Sequence, residues 1–414
     1  MCDSPVRLLV ISDLHAHGGP DDDSAPSLLG YGGARSQANK MFDLCGSSVE
    51  EMGWSKVDAI ICPGDIAHQA DVTGLVNAWE DLNKLSVRLD APLIATAGNH
   101  DYDSRGSGGP NPKASLMALS PLFPFEHPKA SDDPQMRYFS QDYAVYDTDR
   151  INLVSLNSSS HHGYDADGHP EYHHGRLGDV AATRLPGTLS VSSLNKRANV
   201  LLTHHHVVQL PMIDTRERSQ MLDAELLLRT LEESGVWLVV HGHKHRPWIH
   251  TAHGGGGAPY IFSASSFSVN NGGNNFGNAF RNQFHVIEIQ NSEIAESLSL
   301  DIAAKVHSWS WTGLDGWRRA GANDGLPGEC GLGWRTGPHR LSSQIERWLE
   351  AHPTNSASYQ DLLEWEPRLD YLPPDDKQRV VEIMGSLDEP IRVSLDEAGR
   401  WLKIEKRILA EGVS

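Results

Sequence analysis

The sequence predicts an α/β fold over residues 1–312, because short apolar runs alternate there with stretches of helical periodicity. The first observation is a set of aliphatic runs typical of strands buried on both faces, at residues 6–11, 58–62, 92–95, 152–156, 200–203 and 236–240. The second is helical spacing of apolar residues around 74–89 and 219–234. Beyond residue 248 the pattern favours strands at 260–264 and 284–289, with one or two more within 297–311.

Two polar segments interrupt this pattern, and we expect both to be loops over a site. Residues 103–135 are rich in Gly, Pro and Ser, and residues 158–178 in His, Gly and Asp. The histidines of the second segment are His161, His162, His169, His173 and His174. Its composition fits a lining of the substrate entrance and a solvated, flexible loop equally well.

The last hundred residues are predicted to form two further parts. Residues 313–340 hold eight Gly and two Pro without apolar periodicity, which predicts an irregular Gly-rich connector. In residues 341–414, helical stretches at 342–351 and 375–386 precede strands at 391–395 and 400–404, a small α+β appendage similar to a winged helix. Nine Lys and Arg against fifteen Asp and Glu give this appendage a net charge of −6. We therefore expect it to pack against the first domain, a partner protein or a second copy.

Composition excludes several function classes. The 414 residues carry 35 Lys and Arg against 54 Asp and Glu, a net charge of −19, which argues against a sequence-blind nucleic-acid coater or a polybasic membrane binder. No run approaches the roughly 20 apolar residues of a membrane span, and the N-terminal residues lack the pattern of a signal peptide. The cysteines lie far apart and predict free thiols in the cytoplasm: Cys2, Cys45, Cys62 and Cys330.

Five short polar motifs directly follow aliphatic runs. They are Asp13-Leu14-His15, Gly64-Asp65, Gly98-Asn99-His100-Asp101, His204-His205-His206 and Gly242-His243-Lys244-His245. In an extended segment the side chains of residues i and i+2 point the same way, so Asp13 and His15 can hold one ion together. Each motif alone is weak, but the five in this order indicate one shared site.

These motifs predict a metal centre. The carboxyl ends of strands in a mainly parallel sheet meet at one edge, where ligands bind. Mixed oxygen and imidazole donors suit Mn, Fe, Zn or Ni, and a bridging carboxylate suits a pair of ions. Because none of the motifs contains a cysteine, a structural zinc site is disfavoured.

The same motifs, in the same order, resemble the signature of the calcineurin-like metallophosphoesterase superfamily. The resemblance covers about residues 6–300 and leaves out the last hundred. It implies a four-layer αββα sandwich with two mixed sheets and a centre of two divalent or trivalent ions. It also implies an enzyme, a phosphoesterase that attacks phosphorus with a hydroxide bridging the two ions.

The resemblance also implies roles for individual residues. Asp13, His15 and His245 would hold one ion, Asn99, His204 and His243 the other, and Asp65 would bridge them. The family motif is usually His-x-Pro where this chain has His204-His205-His206. This departure leaves His205 as an alternative ligand or a supporting residue. His100 would lie over the phosphate as the catalytic acid, with Asp101 fixing its orientation.

The substrate is less well determined by the sequence. The acidic balance favours a small phosphodiester such as a cyclic nucleotide, with no membrane partner. A DNA or RNA nuclease is the second hypothesis, and His68 keeps it open because nucleases of the superfamily can carry His at that position. The alternative is that His68 supports a metal ligand, while His17 contacts substrate or belongs to a polar loop. A third hypothesis is a metal-bearing scaffold without catalysis.

Overall fold

A computed structural model describes residues 4–20, 25–33, 36–54, 56–104, 111–126, 133–164, 174–192, 198–210, 219–270 and 280–406. In chain order its strands are β1 Val6–Val10, β2 Ala59–Cys62, β3 Leu93–Ala95, β4 Tyr143–Asp147, β5 Ile151–Leu156, β6 Ala198–Leu202, β7 Leu238–His241, β8 Trp248–Thr251, β9 Tyr260–Ser263, β10 Gln283–Ile289, β11 Ala304–Trp311, β12 Trp317–Arg319, β13 Glu329–Leu332, β14 Ser356–Ser358, β15 Ile391–Leu395 and β16 Trp401–Lys406. Its α-helices are α1 Ser36–Glu51, α2 Val72–Arg88, α3 Ala114–Met117, α4 Pro134–Gln141, α5 Asp179–Ser192, α6 Ala224–Ser234, α7 Ser292–Ser297, α8 Pro338–Glu350, α9 Tyr359–Trp365 and α10 Pro374–Gly385.

Two large mixed sheets lie within residues 6–332. The first has the order β12-β11-β10-β1-β2-β3, with β1, β2 and β3 parallel and β10 antiparallel to β1. The second has the order β4-β5-β6-β7-β9-β8, and its four central strands are parallel. All six predicted aliphatic runs are strands of these sheets, which confirms the α/β prediction.

The sheets pack face to face with helices outside. Val200 and Leu202 of β6 join the side chains of β1 and β2 in one core, which continues to Trp79 of α2. Leu201, which lies between them and points to the opposite face, packs instead with Leu227 of α6. The alternation within β6 therefore separates two cores, and the predicted four-layer αββα sandwich is confirmed.

The prediction of an irregular connector at residues 313–340 is wrong. Strands β12 and β13 lie there, and both pair antiparallel with β11 of the first sheet. The pattern missed β12 because only Trp317 of its residues is buried, while Arg318 and Arg319 are exposed. A single apolar residue gives no periodicity. The division of the chain at residues 312 and 340 remains a prediction.

The C-terminal residues form a unit with its own core, built from Leu341, Ile345, Leu369, Val380 and Trp401 among others. Its elements follow the order α8, β14, α9, α10, β15, β16, and β16 lies between β14 and β15. This order is the one expected of the winged-helix-like unit, and that assignment stays a prediction.

The C-terminal unit contacts the sandwich, which is one of the three arrangements expected from its acidity; a partner protein and a second copy stay predictions. Trp248 Nε1 donates to Asp375 Oδ2 over 2.7 Å, and Lys305 Nζ to Asp370 Oδ2 over 2.7 Å. The first of these bonds joins the start of α10 to β8, an edge strand of the second sheet.

Several elements escaped the sequence analysis, among them β4, α1 and α5. The predicted loop at 103–135 contains the short α3 and the start of α4. In the predicted loop at 158–178, His169 and His173 lie outside the described residues. Cys2, near the N-terminus, also lies outside them. Within the described part of the chain, no helix combines the length and apolar character needed to cross a bilayer.

Candidate metal centre

All the predicted ligands follow strands whose carboxyl ends face one region between the two sheets. The first sheet contributes Asp13 after β1, Asp65 after β2 and Asn99 after β3, and the second contributes His204 after β6. His243 and His245 follow β7. Asp13, His15 and His245 form one group of potential ligands, and Asp65, His204 and His243 form another.

Most of these ligands have left-handed backbone conformations. The φ angles are +52° at Asp13, +47° at His15, +53° at Asp65, +76° at His243 and +52° at His245. The expectation that residues 13–15 are extended is therefore wrong, because β1 ends at Val10 and the chain turns after it. Such conformations are costly outside glycine and cluster at functional sites.

Two glycines allow the loops after β2 and β3 to approach each other closely. A Cβ on Gly64 would lie 2.6 Å from the backbone nitrogen of Gly98, and Gly64 also has a φ of +98°. A Cβ on Gly98 would lie 2.1 Å from Asp65 Oδ1. Side chains are thus excluded where the two loops meet, and this places Asp65 beside Asn99.

Four atoms converge in the group that contains Asp65, His204 and His243, with Asn99 as the fourth residue. His204 Nε2 lies 3.1 Å from Asn99 Oδ1, 3.1 Å from His243 Nδ1 and 3.4 Å from Asp65 Oδ1. The opposite ring atom, His204 Nδ1, lies 2.8 Å from the Pro63 carbonyl oxygen and can only donate to it. Nε2 therefore faces the other three atoms, with a lone pair when the ring is neutral and with a proton when the ring is charged.

The group of Asp13, His15 and His245 repeats this convergence. His15 Nε2 lies 3.0 Å from His245 Nε2 and 3.5 Å from Asp65 Oδ2, and His245 Nε2 lies 3.5 Å from Asp13 Oδ1. Asp65 thus directs one oxygen to each group, the arrangement required of a bridging carboxylate. Asp13 is held by the Ser12 hydroxyl, which donates to its Oδ2 over 2.5 Å.

The two groups fit a pair of metal ions. Bonds of about 2.1 Å place neighbouring ligand atoms about 3.0 Å apart in an octahedron and about 3.4 Å apart in a tetrahedron. The separations of 3.0 to 3.5 Å match these edges. Converging lone pairs repel one another unless a proton or a cation lies between them. The donors are imidazole, carboxylate and amide, which several transition ions accept.

The buried charges also favour a cation here. Burial lowers the pKa of His15 and of His243, so their rings stay neutral and keep lone pairs available. Burial alone would also lower the pKa of His204, but the charge and hydrogen bond of Asp65 outweigh it and raise that pKa to about 9. A positive charge between His204 and Asp65 is therefore strongly stabilised.

His100 and Asp101 follow the ligand Asn99. The His100 backbone N–H donates to Asp65 Oδ1 over 2.8 Å, and its Nδ1 accepts the backbone N–H of Gln69 over 3.3 Å. The proton of the neutral ring is then on Nε2. Asp101 accepts the backbone N–H of Ala67 over 2.7 Å and that of Gly98 over 2.8 Å. Asp101 therefore holds the backbone on either side of the site, including the loop that carries His100.

The remaining predicted residues lie at different places. His204, rather than His205, joins the ligand group, while His205 Nδ1 lies 2.9 Å from Ser158 Oγ. His68 lies at the site, where it forms a third group of potential ligands with His15 and His100, and its ring centroid is 5.3 Å from that of His100. His17 faces away into a loop, where its Nε2 lies 3.2 Å from the Ser27 carbonyl oxygen.

Four supporting groups were missed by the sequence analysis: Ser12, Pro63, Gln69 and Ser158. Ser12 could have been found, since it directly precedes the first ligand. Pro63 and Gln69 act through backbone atoms, which no side-chain pattern reveals.

The family model described as calcineurin-like phosphoesterase matches residues 6–247. Among solved structures, a dimetal phosphatase from Danio rerio is 12% identical, with a TM-score of 0.44 and coverage of 70% of this chain and 96% of its own. The phosphopantetheinyl hydrolase of Mycobacterium tuberculosis is 12% identical, with a TM-score of 0.31 and coverage of 64% and 91%. Vps29 of Entamoeba histolytica, complexed with zinc, is 10% identical, with a TM-score of 0.30 and coverage of 75% and 94%. No curated protein matches the chain.

Proposed function

Because the chain belongs to the calcineurin-like phosphoesterase family, we propose that it hydrolyses a phosphoester with two metal ions held at the strand ends. The observation that carries this proposal is that the Asp65 carboxylate faces both ligand groups, with Oδ1 near His204 and Oδ2 near His15. When bound, two ions supply positive charge for the phosphoryl oxygens and lower the pKa of a water toward neutrality.

The protein's own groups then have separate tasks. Asp13 and Asp65 provide the negative charge that retains the ions. Asn99 is a neutral donor, so the ion held by Asn99, His204 and His243 is the more electrophilic one. With its Nδ1 bonded to the Gln69 amide, His100 can donate its Nε2 proton to the leaving oxygen. The bonds of Asp101 to Ala67 and Gly98 keep the loops at the spacing this requires.

We further propose a small phosphodiester as the substrate, with a cyclic nucleotide as one example. The net charge of −19 supports a compact substrate, because a long polyanion would be repelled outside the immediate site. Mn or Fe are suitable ions for this donor set. The free thiols Cys45, Cys62 and Cys330 support a reducing location such as the cytoplasm.

A nuclease is the second candidate, favoured by the winged-helix order of the C-terminal unit and by His68 beside His100. Winged helices that read DNA present a basic helix to the major groove. The exposed positions of α10 include Asp375, Gln378, Arg379 and Glu382, a mixed and slightly acidic surface. Because this helix surface is not basic, we rank the nuclease below the small-substrate enzyme.

The test compares p-nitrophenyl phosphate, bis-p-nitrophenyl phosphate, cyclic AMP and linear single-stranded DNA with the Mn-loaded full chain. We expect the diesters to be hydrolysed, and Asp65→Asn to be inactive on all four. Preference for DNA by orders of magnitude would establish the nuclease instead. No turnover of any substrate by a protein that contains two ions would favour the non-catalytic scaffold.

A further inference from the structure

His205 is fully buried beside the metal centre without belonging to either ligand group. Its ring centroid lies 4.6 Å from that of His243 and 5.1 Å from that of His204, both ligands of the same group. A buried imidazole in this position needs partners for both ring nitrogens, because an unsatisfied buried polar atom destabilises the folded state.

Ser158 fixes the tautomer of His205. The Ser158 Oγ accepts the backbone N–H of His205 over 3.2 Å and lies 2.9 Å from its Nδ1. Among the described residues, His205 Nδ1 is the acceptor that this buried hydroxyl proton reaches. The Ser158 hydroxyl therefore donates to Nδ1, and the proton of the neutral His205 ring is on Nε2.

The ring of His243 also has a nitrogen, Nε2, opposite the Nδ1 atom that faces the ligand group. Its Nδ1 lies 3.0 Å from Asn99 Oδ1, inside the ligand group, and must offer a lone pair when an ion is bound there, which leaves the proton of the ring on Nε2. The Nε2 atoms of His243 and His205 are both buried, and neither has a hydrogen-bond partner in the part of the chain that the structure describes. Two adjacent rings thus each hold a buried N–H donor.

We infer that His205 is a positioning residue for the ion bound by Asn99, His204 and His243. The Nε2–H groups of His205 and His243 share one acceptor oxygen, a buried water, which holds His243 with its Nδ1 toward the ion. Metal-binding histidines generally need such a partner on the second nitrogen, and losing it costs about 10–100-fold in metal affinity. A buried water needs two or more polar partners, and these two donors meet that requirement. The inference rests on the proposed function, since it assigns His205 to one of the two proposed ions.

The full chain, stripped of metal with a chelator, is titrated with Mn²⁺ and followed by calorimetry and electron paramagnetic resonance. For His205→Leu we expect one ion to bind as in the wild type and the other about 10–100-fold more weakly. The spectrum should change from that of a spin-coupled pair to that of a single Mn²⁺. His205→Gln keeps an N–H donor and should restore the coupled spectrum.

A matched control is available in the first sheet. His285 is also fully buried, and its Nδ1 lies 2.9 Å from Ser308 Oγ. His285→Leu removes an equivalent histidine–serine bond from a ring that belongs to neither ligand group and also accepts the Ser265 backbone N–H over 3.5 Å. It should lower the melting temperature while both ions bind as in the wild type.

Wild-type affinities for both ions in folded His205→Leu would overturn the inference, as would an equal loss of both ions. If that variant does not fold, Ser158→Ala decides: it should weaken one ion only, and unchanged binding would contradict the role of His205. A different result would refute the proposed function without affecting this inference. A wild-type protein that binds two ions, shows the His205 effect and hydrolyses no phosphoester would refute the enzyme and retain this inference.

Discussion

The contact between Gly98 and Asp65 gives the strongest test of how the centre is built. In Gly98→Ala the new Cβ would lie 2.1 Å from Asp65 Oδ1 and 2.5 Å from the Asp65 backbone nitrogen. Real Cβ atoms essentially never approach closer than 3.0 Å, so the carboxylate oxygen must move by at least 3.0 − 2.1 = 0.9 Å. Rotation of the side chain cannot relieve the contact with the backbone nitrogen, which must move as well.

That displacement acts on the atom that faces His204. Misplacing a reacting group by about 1 Å can cost about 100-fold in rate, and we expect a loss of this size in kcat for bis-p-nitrophenyl phosphate. We also expect weaker binding of at least one ion. The overpacked contact should reduce the free energy of unfolding by about 1–3 kcal/mol.

The assay combines turnover, Mn content by elemental analysis and thermal unfolding on the same preparations. Gly256→Ala is the control, because a Cβ there meets no atom within 4 Å. It should match the wild type in all three measurements. A folded Gly98→Ala protein with two ions and wild-type turnover would refute the argument that this close approach positions Asp65.

Four further predictions use other parts of the molecule. Asp65→Asn keeps the shape but removes the charge between the ligand groups, so hydrolysis should be abolished and at least one ion lost on elemental analysis. His100→Asn should keep both ions while kcat falls by about 100-fold or more, because the proton donor is removed while Asp13, His15, Asp65, Asn99, His204, His243 and His245 are kept. Since Asp65 raises the pKa of His204 to about 9, an incoming ion must displace a proton. Affinity should therefore rise with pH up to about 9, and calorimetry in buffers of different ionisation enthalpy should show proton release; pH-independent binding would contradict this. Ile345→Ala, at a fully buried position, should destabilise the C-terminal unit by about 2–5 kcal/mol with Mn stoichiometry unchanged, and a separate unfolding transition would support the predicted domain division.

The sequence reveals the ligands because each lies within a few residues of a strand end. A buried parallel strand is a continuous aliphatic run, and a polar residue directly after it is conspicuous. Asp13, Asp65 and His204 could all be located in this way. The choice between His204 and His205 could not, because adjacent residues differ only in the direction of their side chains, and contacts with Pro63 and Ser158 determine that direction.

The parts that could not be predicted depend on contacts distant in sequence. Strand β12 is recognisable only beside β11, since two of its residues are exposed arginines. The left-handed conformations of Asp13 and His15 likewise follow from backbone pairing. Their N–H groups donate to the backbone carbonyl oxygens of Gly64 and Asp65 over 3.1 and 2.9 Å, respectively. Asp and His adopt such conformations more often than most residues outside glycine, but still so rarely that local propensity does not predict them.

This pairing explains how the fold can hold converging lone pairs in costly conformations. The Ser266 hydroxyl donates to the Asp13 carbonyl over 2.7 Å, and together with the bonds to Gly64 and Asp65 it fixes the turn after β1. Ligand positions are thus set by the protein's own hydrogen bonds. The centre is nevertheless open on one side, because the His245 side chain is 21% exposed while those of Asp13 and His204 are fully buried. A structural ion is enclosed by its ligands, whereas a catalytic ion keeps a position for water or substrate. An open, rigidly held centre therefore favours a hydrolase over a scaffold.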